Sequence, residues 1–277
     1  MFLFLTEDGV VLRRGDEFRF VDREWDRLIA HEDLHGWLSG LAEGHSSAAV
    51  DAVRERLLPP IGSQEIWACG VTYHDSQMAR REESAAAGGG DFYTRVYHAE
   101  RPEIFFKSAA HRARGHGQAV RIRRDSTWDV PEPELVLVVS PGGKIHGYTV
   151  GNDMSSRSIE GENPLYLPQA KTYEQSAGIG PGLLISEAPL APDTEVRMTI
   201  SRAGSDVFSG ATRISAINRE FSDLVAWLRR ELEFPAGCYL MTGTGIVPGR
   251  GFTLQPGDRI AIAIAGVGAL EQTVVRG

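Results

Sequence analysis

Asp129-Val130-Pro131-Glu132-Pro133-Glu134-Leu135-Val136-Leu137-Val138-Val139-Ser140 runs from an acidic, proline-spaced lead into an unbroken apolar stretch. The apolar stretch Leu135–Ser140 reads as a strand. The prolines at 131 and 133 hold the approach extended. Residues two apart in an extended chain point to the same side, so the carboxylates of Glu132 and Glu134 project together. Like charges held this close need neutralising, and a cation is one solution. An exposed acidic strand entry is the other, and the segment alone leaves both open.

Working outward, Pro141-Gly142-Gly143 is a hairpin signal leading into a returning strand, Lys144–Val150. That strand ends in Gly151-Asn152-Asp153-Met154-Ser155-Ser156-Arg157. Asp153 therefore leaves a strand paired with the one that Glu134 enters, and the three carboxylates converge at one end of the hairpin. Three oxygen donors without neighbouring His or Cys suit Mg²⁺, with Mn²⁺ as a substitute, rather than zinc or copper. Open positions on such an ion accept a chelating substrate. Downstream, Glu162-Asn163-Pro164-Leu165-Tyr166-Leu167-Pro168-Gln169-Ala170-Lys171 carries one lysine. Beside a metal and a low-dielectric wall its pKa can fall towards neutrality and make it a usable proton acceptor, whereas a lysine by itself is more often merely a surface residue. Met241-Thr242-Gly243-Thr244-Gly245 is a Gly/Thr loop whose amides and hydroxyls suit a carboxylate. It lacks the lysine and spacing of a Walker A loop, and a tight turn is the alternative.

The rest of the chain is mostly strand and turn. Apolar runs predict strands at Ile66–Val71, Val196–Ser201 and Ile260–Ala265, the last preceded by the turn Pro256-Gly257-Asp258. Over Ser215–Leu232, Ile217, Phe221, Leu224, Val225, Leu228 and Leu232 follow a 3.6-residue period, which predicts a helix with Ser215 as its N-cap. Residues 1–60 read as a small α+β domain. It has strands Phe2–Leu5 and Val10–Leu12 about an Asp8-Gly9 turn, helices near Trp25–Leu38 and Ala48–Leu57, and a boundary at Pro59-Pro60. Residues 61–277 form the larger, mainly β unit, without the βαβ alternation of a doubly wound sheet or a barrel. Glu82–Asp91 predicts a helix continuing from Gln77 that dissolves at Gly88-Gly89-Gly90, either a surface loop or a hinged lid.

Composition narrows the classes further. Hydrophobic residues at 42% and charged residues at 24% describe an ordinary globular chain. Lys and Arg number 29 against 37 Asp and Glu, so the net charge of −8 argues against general affinity for nucleic acid or anionic membrane. Cys69 and Cys238 form no metal spacing and read as two buried thiols of a reducing, cytoplasmic setting. The first residues break into charge too early for a signal peptide, and no apolar run is long enough to span a bilayer.

Taken together, these segments resemble the fumarylacetoacetate hydrolase family. Gly70-Val71-Thr72-Tyr73, Phe105-Phe106-Lys107-Ser108, Glu132-x-Glu134, Gly147-Tyr148-Thr149-Val150-Gly151-Asn152-Asp153-Met154-Ser155, Lys171 and Thr242-Gly243-Thr244-Gly245 occur in family order across about residues 62–275. Within the family the similarity is to sugar-acid dehydratases acting on 2-dehydro-3-deoxy-D-arabinonate. It rests on Arg101-Pro102-Glu103-Ile104-Phe105-Phe106-Lys107, Asp125-Ser126-x-Trp128-x-Val130-Pro131-Glu132-Pro133-Glu134 and Glu162-Asn163-Pro164-Leu165-Tyr166-Leu167-Pro168-Gln169-x-Lys171. The resemblance implies a mixed α+β, mainly β fold, with a C-terminal catalytic domain of sandwich or rolled-sheet type. It also implies a homo-oligomer, Mg²⁺ on Glu132, Glu134 and Asp153, and a metal-dependent hydro-lyase of a small 2-oxo sugar acid. It places Lys171 in the substrate site and Thr244 on the substrate carboxylate; in a dehydration that fits, Lys171 is the base, Glu103 or a metal-ordered water the acid, and Lys107 or Arg101 helps to hold the anionic substrate.

One departure bears on the chemistry. Family hydrolases carry a water-activating histidine where this chain has Ser76, and His74 is not assigned that role. The loss disfavours the alternative activities, an acylpyruvate-type C–C hydrolase or an oxaloacetate decarboxylase, and fits dehydration, which needs no attacking water. An alternative of another class is a non-catalytic sugar-acid-binding protein.

Overall fold

A computed structural model describes residues 1–74 and 90–277, the side chains of 90–93 excepted. The expected helix from Gln77, most of the expected lid over Glu82–Asp91, and Ser76 lie outside the described residues.

Seventeen strands are seen among the described residues. Ten form one sheet: β1 (Phe2–Thr6), β2 (Gly9–Arg14), β3 (Glu17–Val21), β4 (Glu65–Gly70), β5 (Glu103–Ala109), β6 (Ala113–Arg114), β9 (Pro133–Val139), β10 (Ile145–Asp153), β12 (Ala177–Ile185) and β15 (Cys238–Met241). Their order is β3-β2-β1-β12-β10-β9-β15-β4-β5, with β6 beside β12. Five more form a second sheet in the order β14-β13-β16-β17-β7, namely β7 (Ala119–Ile122), β13 (Glu195–Arg202), β14 (Ser205–Arg213), β16 (Arg259–Ile264) and β17 (Gly268–Arg276). A short pair, β8 (Asp129–Val130) and β11 (Ser155–Ser156), stands beside the site. The mainly β architecture is the one expected.

The apolar run of β9 sits at the centre and divides its side chains between two cores. Leu135, Leu137 and Val139 meet Met198, Ile200, Ile260 and Ile262 of the second sheet. Val136 and Val138 face the other way, among Leu3, Leu28, Ile29 and Leu34 of the N-terminal elements. Burial on both faces is why this strand reads as continuous rather than alternating. The N-terminal hairpin turns at Gly9, whose φ of +125° suits glycine. Its first strand pairs with β12, Phe2 opposite Leu184, so the opening elements extend the same sheet as β9 and β10.

Two expected helices are broken. Instead of one helix over Trp25–Leu38 there are α1 (Trp25–Ile29) and α2 (Leu34–Ser39), because Asp33 caps the second through the Gly36 N–H at 3.0 Å. The expected helix from Ser215 starts late. A 3₁₀ turn covers Ile214–Ala216, and α7 (Phe221–Leu228) follows from an N-cap at Glu220. The intervening residues are claimed by tertiary pairing: Ile217 bridges Tyr73, and the Asn218 N–H donates to Thr72 O at 2.9 Å. The periodic residues Leu224, Val225 and Leu228 are buried as expected, while Leu232 is exposed. Helix α3 (Ser47–Glu55), α4 (Gly90–His98), α5 (Arg157–Glu162) and α6 (Leu167–Lys171) complete the set used below. Cys69 and Cys238 are both free and buried. Among the described residues no helix is long and apolar enough to cross a membrane.

Candidate metal centre and active site

Register places the three carboxylates. In the β9–β10 ladder Gly151 lies opposite Glu134 and Asn152 opposite Pro133. One step further the Asp153 N–H donates to Glu132 O at 2.9 Å. One oxygen from each of Glu132, Glu134 and Asp153 then lies within 4.8 Å of the others, and all three residues are buried. They line a narrow cleft with Cys69, Gly70, Val71, Phe105, Arg157, Lys171, Gly243 and Thr244.

Three buried cations answer the three anions. Lys171, the last residue of α6, reaches Glu132 Oε2 at 2.7 Å, Asp153 Oδ2 at 3.0 Å and Ser155 Oγ at 2.6 Å. Lys107, on β5, contacts Asp153 Oδ1 at 2.5 Å and donates to Met154 O at 2.9 Å and Lys171 O at 2.5 Å. Arg157 opens α5 and brings Nη2 to 3.1 Å from Glu132 Oε1, with Nε 3.8 Å from Glu160 Oε2. Burial, followed by the like charges of Asp153 and Glu132, pushes the Glu134 carboxyl well above the usual carboxylate range. Burial also lowers the Lys107 ammonium, opposed by Asp153.

The donor set fits a hard divalent cation: all oxygen, three carboxylates, one oxygen of each brought near a common point. The raised Glu134 carboxyl reflects burial first and the neighbouring carboxylates second, and positive charge among them would relieve it.

The loop after β15 closes the cleft. Gly243 has φ +92°, and a Cβ there would lie 2.0 Å from Thr72 Oγ1, so only glycine fits. Its N–H donates to Glu134 Oε2 at 2.6 Å. Thr244 Oγ accepts from the Ile246 N–H at 3.2 Å and lines the cleft. Glu103 stands at the rim opposite Gly70 in the β4–β5 ladder; a Cβ on Gly70 would meet its Oε2 at 2.0 Å. Burial, followed by the charges of Glu134 and Glu103, pushes the Cys69 thiol well up, which keeps it protonated and inert.

The structure thus brings Glu132, Glu134, Asp153, Lys171 and Thr244 into one cleft, with Glu103 at its edge. Arg101 and Lys107, expected against the substrate, are not among the lining residues. Arg101 is exposed and stacks over Trp227 at 4.6 Å, and Lys107 is fully buried with its ammonium committed to Asp153 and two backbone carbonyls. Sequence reasoning gave no role to Arg157, Ser155 or Phe105. Arg157 had a usable signal in its place four residues past Asp153; Ser155 and Phe105 had none.

The family model described as fumarylacetoacetate (FAA) hydrolase C-terminal matches residues 66–275, and the chain belongs to this family. It is closely related to 2-keto-3-deoxy-pentonate dehydratases. A Haloferax volcanii protein named "probable 2-keto-3-deoxyxylonate dehydratase" is 48% identical over 216 residues, 78% of this chain and 73% of that protein. The 2-dehydro-3-deoxy-D-arabinonate dehydratase of Saccharolobus solfataricus is 40% identical over 217 residues, 78% of this chain and 73% of that one. A solved structure of 2-keto-3-deoxy-D-arabinonate dehydratase complexed with magnesium and 2,5-dioxopentanoate superposes with a TM-score of 0.86 at 30% identity, covering 100% of this chain and 98% of that one.

Proposed function

We propose that this protein is a Mg²⁺-dependent dehydratase that converts 2-dehydro-3-deoxy-D-arabinonate to 2,5-dioxopentanoate. The observation that carries this is the contact of Lys171 with Glu132 and Asp153 inside the cleft: a proton-transfer group lies against an oxygen-only cation site. The relatives of known activity support the same substrate class. Ser76, at the position of the hydrolases' histidine, favours dehydration over C–C cleavage.

Bound by Glu132, Glu134 and Asp153, Mg²⁺ supplies Lewis-acid polarisation of a 2-oxo acid, which acidifies the C3 protons. The Thr244 side of the cleft receives the substrate carboxylate. Neutral Lys171 Nζ takes a C3 proton, and the Glu103 carboxyl protonates the C4 hydroxyl, which leaves as water. The Glu103 carboxylate then removes a C5 proton while Lys171 returns one to C3. The resulting C4–C5 enol becomes the C5 aldehyde, with one water lost overall. Phe105 places its ring 5.7 Å from Lys171 Nζ and walls that side of the cleft.

The test is incubation of metal-stripped protein with 2-dehydro-3-deoxy-D-arabinonate, with and without Mg²⁺, and product analysis by mass. Magnesium-dependent loss of one water supports the proposal. Inert sugar acid, together with turnover of an acylpyruvate or oxaloacetate, moves the chemistry to the family's other reactions.

A further inference from the structure

Strand β17 departs from an apolar pattern at one inward position. Its buried side chains are Leu270, Gln272 and Val274. Leu270 and Val274 pack in the core that also holds Val150 and Met154. A glutamine between them gives up its water and is tolerated only where its amide finds partners. Two other parts of the fold supply them. Gln272 Nε2 donates to Arg114 O at 3.2 Å and to Gly115 O at 3.3 Å, where β6 ends. Gln272 Oε1 accepts from Asn152 Nδ2 at 3.0 Å. Gly178, opposite Asn152 in the β10–β12 ladder, leaves room for the amide: a Cβ there would lie 2.2 Å from Gln272 Oε1.

Asn152 has little else to hold it. Its Oδ1 has no hydrogen-bond partner among the described residues, and beyond Gln272 its Nδ2 reaches Met154 Sδ at 3.5 Å. It is fully buried and immediately precedes Asp153. Side chains alternate along a strand, so the two point to opposite faces. Asp153 faces the cleft and meets Lys171, while Asn152 faces the second sheet.

We infer that Gln272 is a positioning residue: through Asn152 it fixes the end of β10 and so sets where the Asp153 carboxylate stands against Lys171. Asn152 and Asp153 share a planar peptide unit, so tilting one tilts the other. A misplacement of about 1 Å, even from a change far from the chemistry, costs up to about 10²-fold in rate. An apolar residue at 272 would complete the inward pattern of β17 without asking for partners. The glutamine is therefore explained by what its amide holds: the turn after β6 on one side and the strand carrying Asp153 on the other. The second sheet, which contributes no residue to the cleft lining, thereby acquires a part in the site. Only the expected effects on turnover and cation binding rest on the dehydratase reading above; the contact itself does not.

The experiment compares the full-length wild type with Gln272→Met, Asn152→Ala and the double variant. Mn²⁺ titration by paramagnetic resonance and steady-state turnover at saturating Mg²⁺ are the two readouts. Methionine keeps the core filled at about the length of glutamine while removing all three bonds. Gln272→Met is expected to weaken Mn²⁺ binding and to lower kcat, each about tenfold, with KM for the sugar acid within about twofold of the wild type. The double variant is expected to lose no more than the larger single loss, because both changes cut the same bond. A lowered melting temperature with Mn²⁺ binding and kcat both within about twofold of the wild type makes Gln272 a plain contact between sheets and overturns the proposal. Losses that multiply in the double variant overturn it too, since the two residues then act separately. If Gln272→Met does not fold, Gly178→Ala decides, because the added methyl group displaces Gln272 Oε1: losses of similar size support the bridge and unchanged values refute it. A wild type that leaves the sugar acid intact removes only the substrate assignment, and Mn²⁺ binding still reads the bridge. A wild type that binds no Mn²⁺ removes the metal centre, and crystal structures of the wild type and Gln272→Met then decide. Asp153 Oδ2 moving out of hydrogen-bond reach of Lys171 Nζ supports the bridge, and an unmoved carboxylate refutes it.

Discussion

Strand β9 is buried at every position, whereas in β16 exposed and buried residues alternate along the whole strand. Both are central in their sheets, but β16 has solvent on one face and β9 has a packed core on each. On the second sheet, charged side chains such as Arg259 and Glu271 simply point outward. At the end of β9 there is no outward direction, so Glu132 and Glu134 must be balanced where they stand. The doubly covered sheet is therefore where buried cations collect, and where a polar group without compensation is costly. The buried charges and a strand buried at every position lie next to each other because the same covering produces both.

Substitutions should separate the two environments. Glu134→Gln is expected to abolish turnover and to weaken Mn²⁺ binding by more than the roughly 100-fold that loss of a supporting group costs; Mn²⁺ paramagnetic resonance checks this, and retained activity would refute the metal assignment. Lys171→Met should lower turnover by about 10²–10⁴ through loss of the base while the protein still binds Mn²⁺. In the core, Leu137→Ala removes a side chain at the inter-sheet contact and should cost about 2–5 kcal/mol by denaturant titration.

A smaller effect belongs to His146 on β10, which burial, and then the charge of Lys144, hold down at a pKa of about 4 against an ordinary 6.5. Because its folded pKa lies below its unfolded one, the native state resists protonation. Its cost is absent above pH 6.5 and grows as pH falls towards 4, reaching on the order of 3 kcal/mol. His146→Phe should flatten the stability profile across that window, and an unchanged slope would mean that other groups set it. Smallest of all, Glu271→Ala on the open face of β17 should change stability by no more than about 0.5 kcal/mol. A larger loss there would show that the outer face of the second sheet is covered in solution.

Much of the fold was readable because its signals are local. The Leu135–Val139 run, the Pro141–Gly143 turn and the period-2 stretch at 260–264 each state their conformation within a few residues. Strand β12 was missed because its glycines carry no strong propensity and it is held by β10 and by β1 at the start of the chain, whereas β14, a hairpin partner of β13, was missed because its small polar residues give no apolar run. The helix expected from Ser215 failed for a related reason: Tyr73 and Thr72 take up Ile217 and Asn218, and no local pattern announces that competition.

For the site the division is similar. By itself the sequence determined that Glu132 and Glu134 share a side and that Asp153 returns to meet them, since strand period and a short hairpin suffice for both. Tertiary structure alone decided that Arg101 faces away from the cleft, that Lys107 sits beneath Asp153, and that Arg157 and the Gly243 amide each hold an oxygen of a different glutamate. Those contacts join elements far apart in the chain, and their partners are chosen by the packing of two sheets rather than by any spacing a sequence displays.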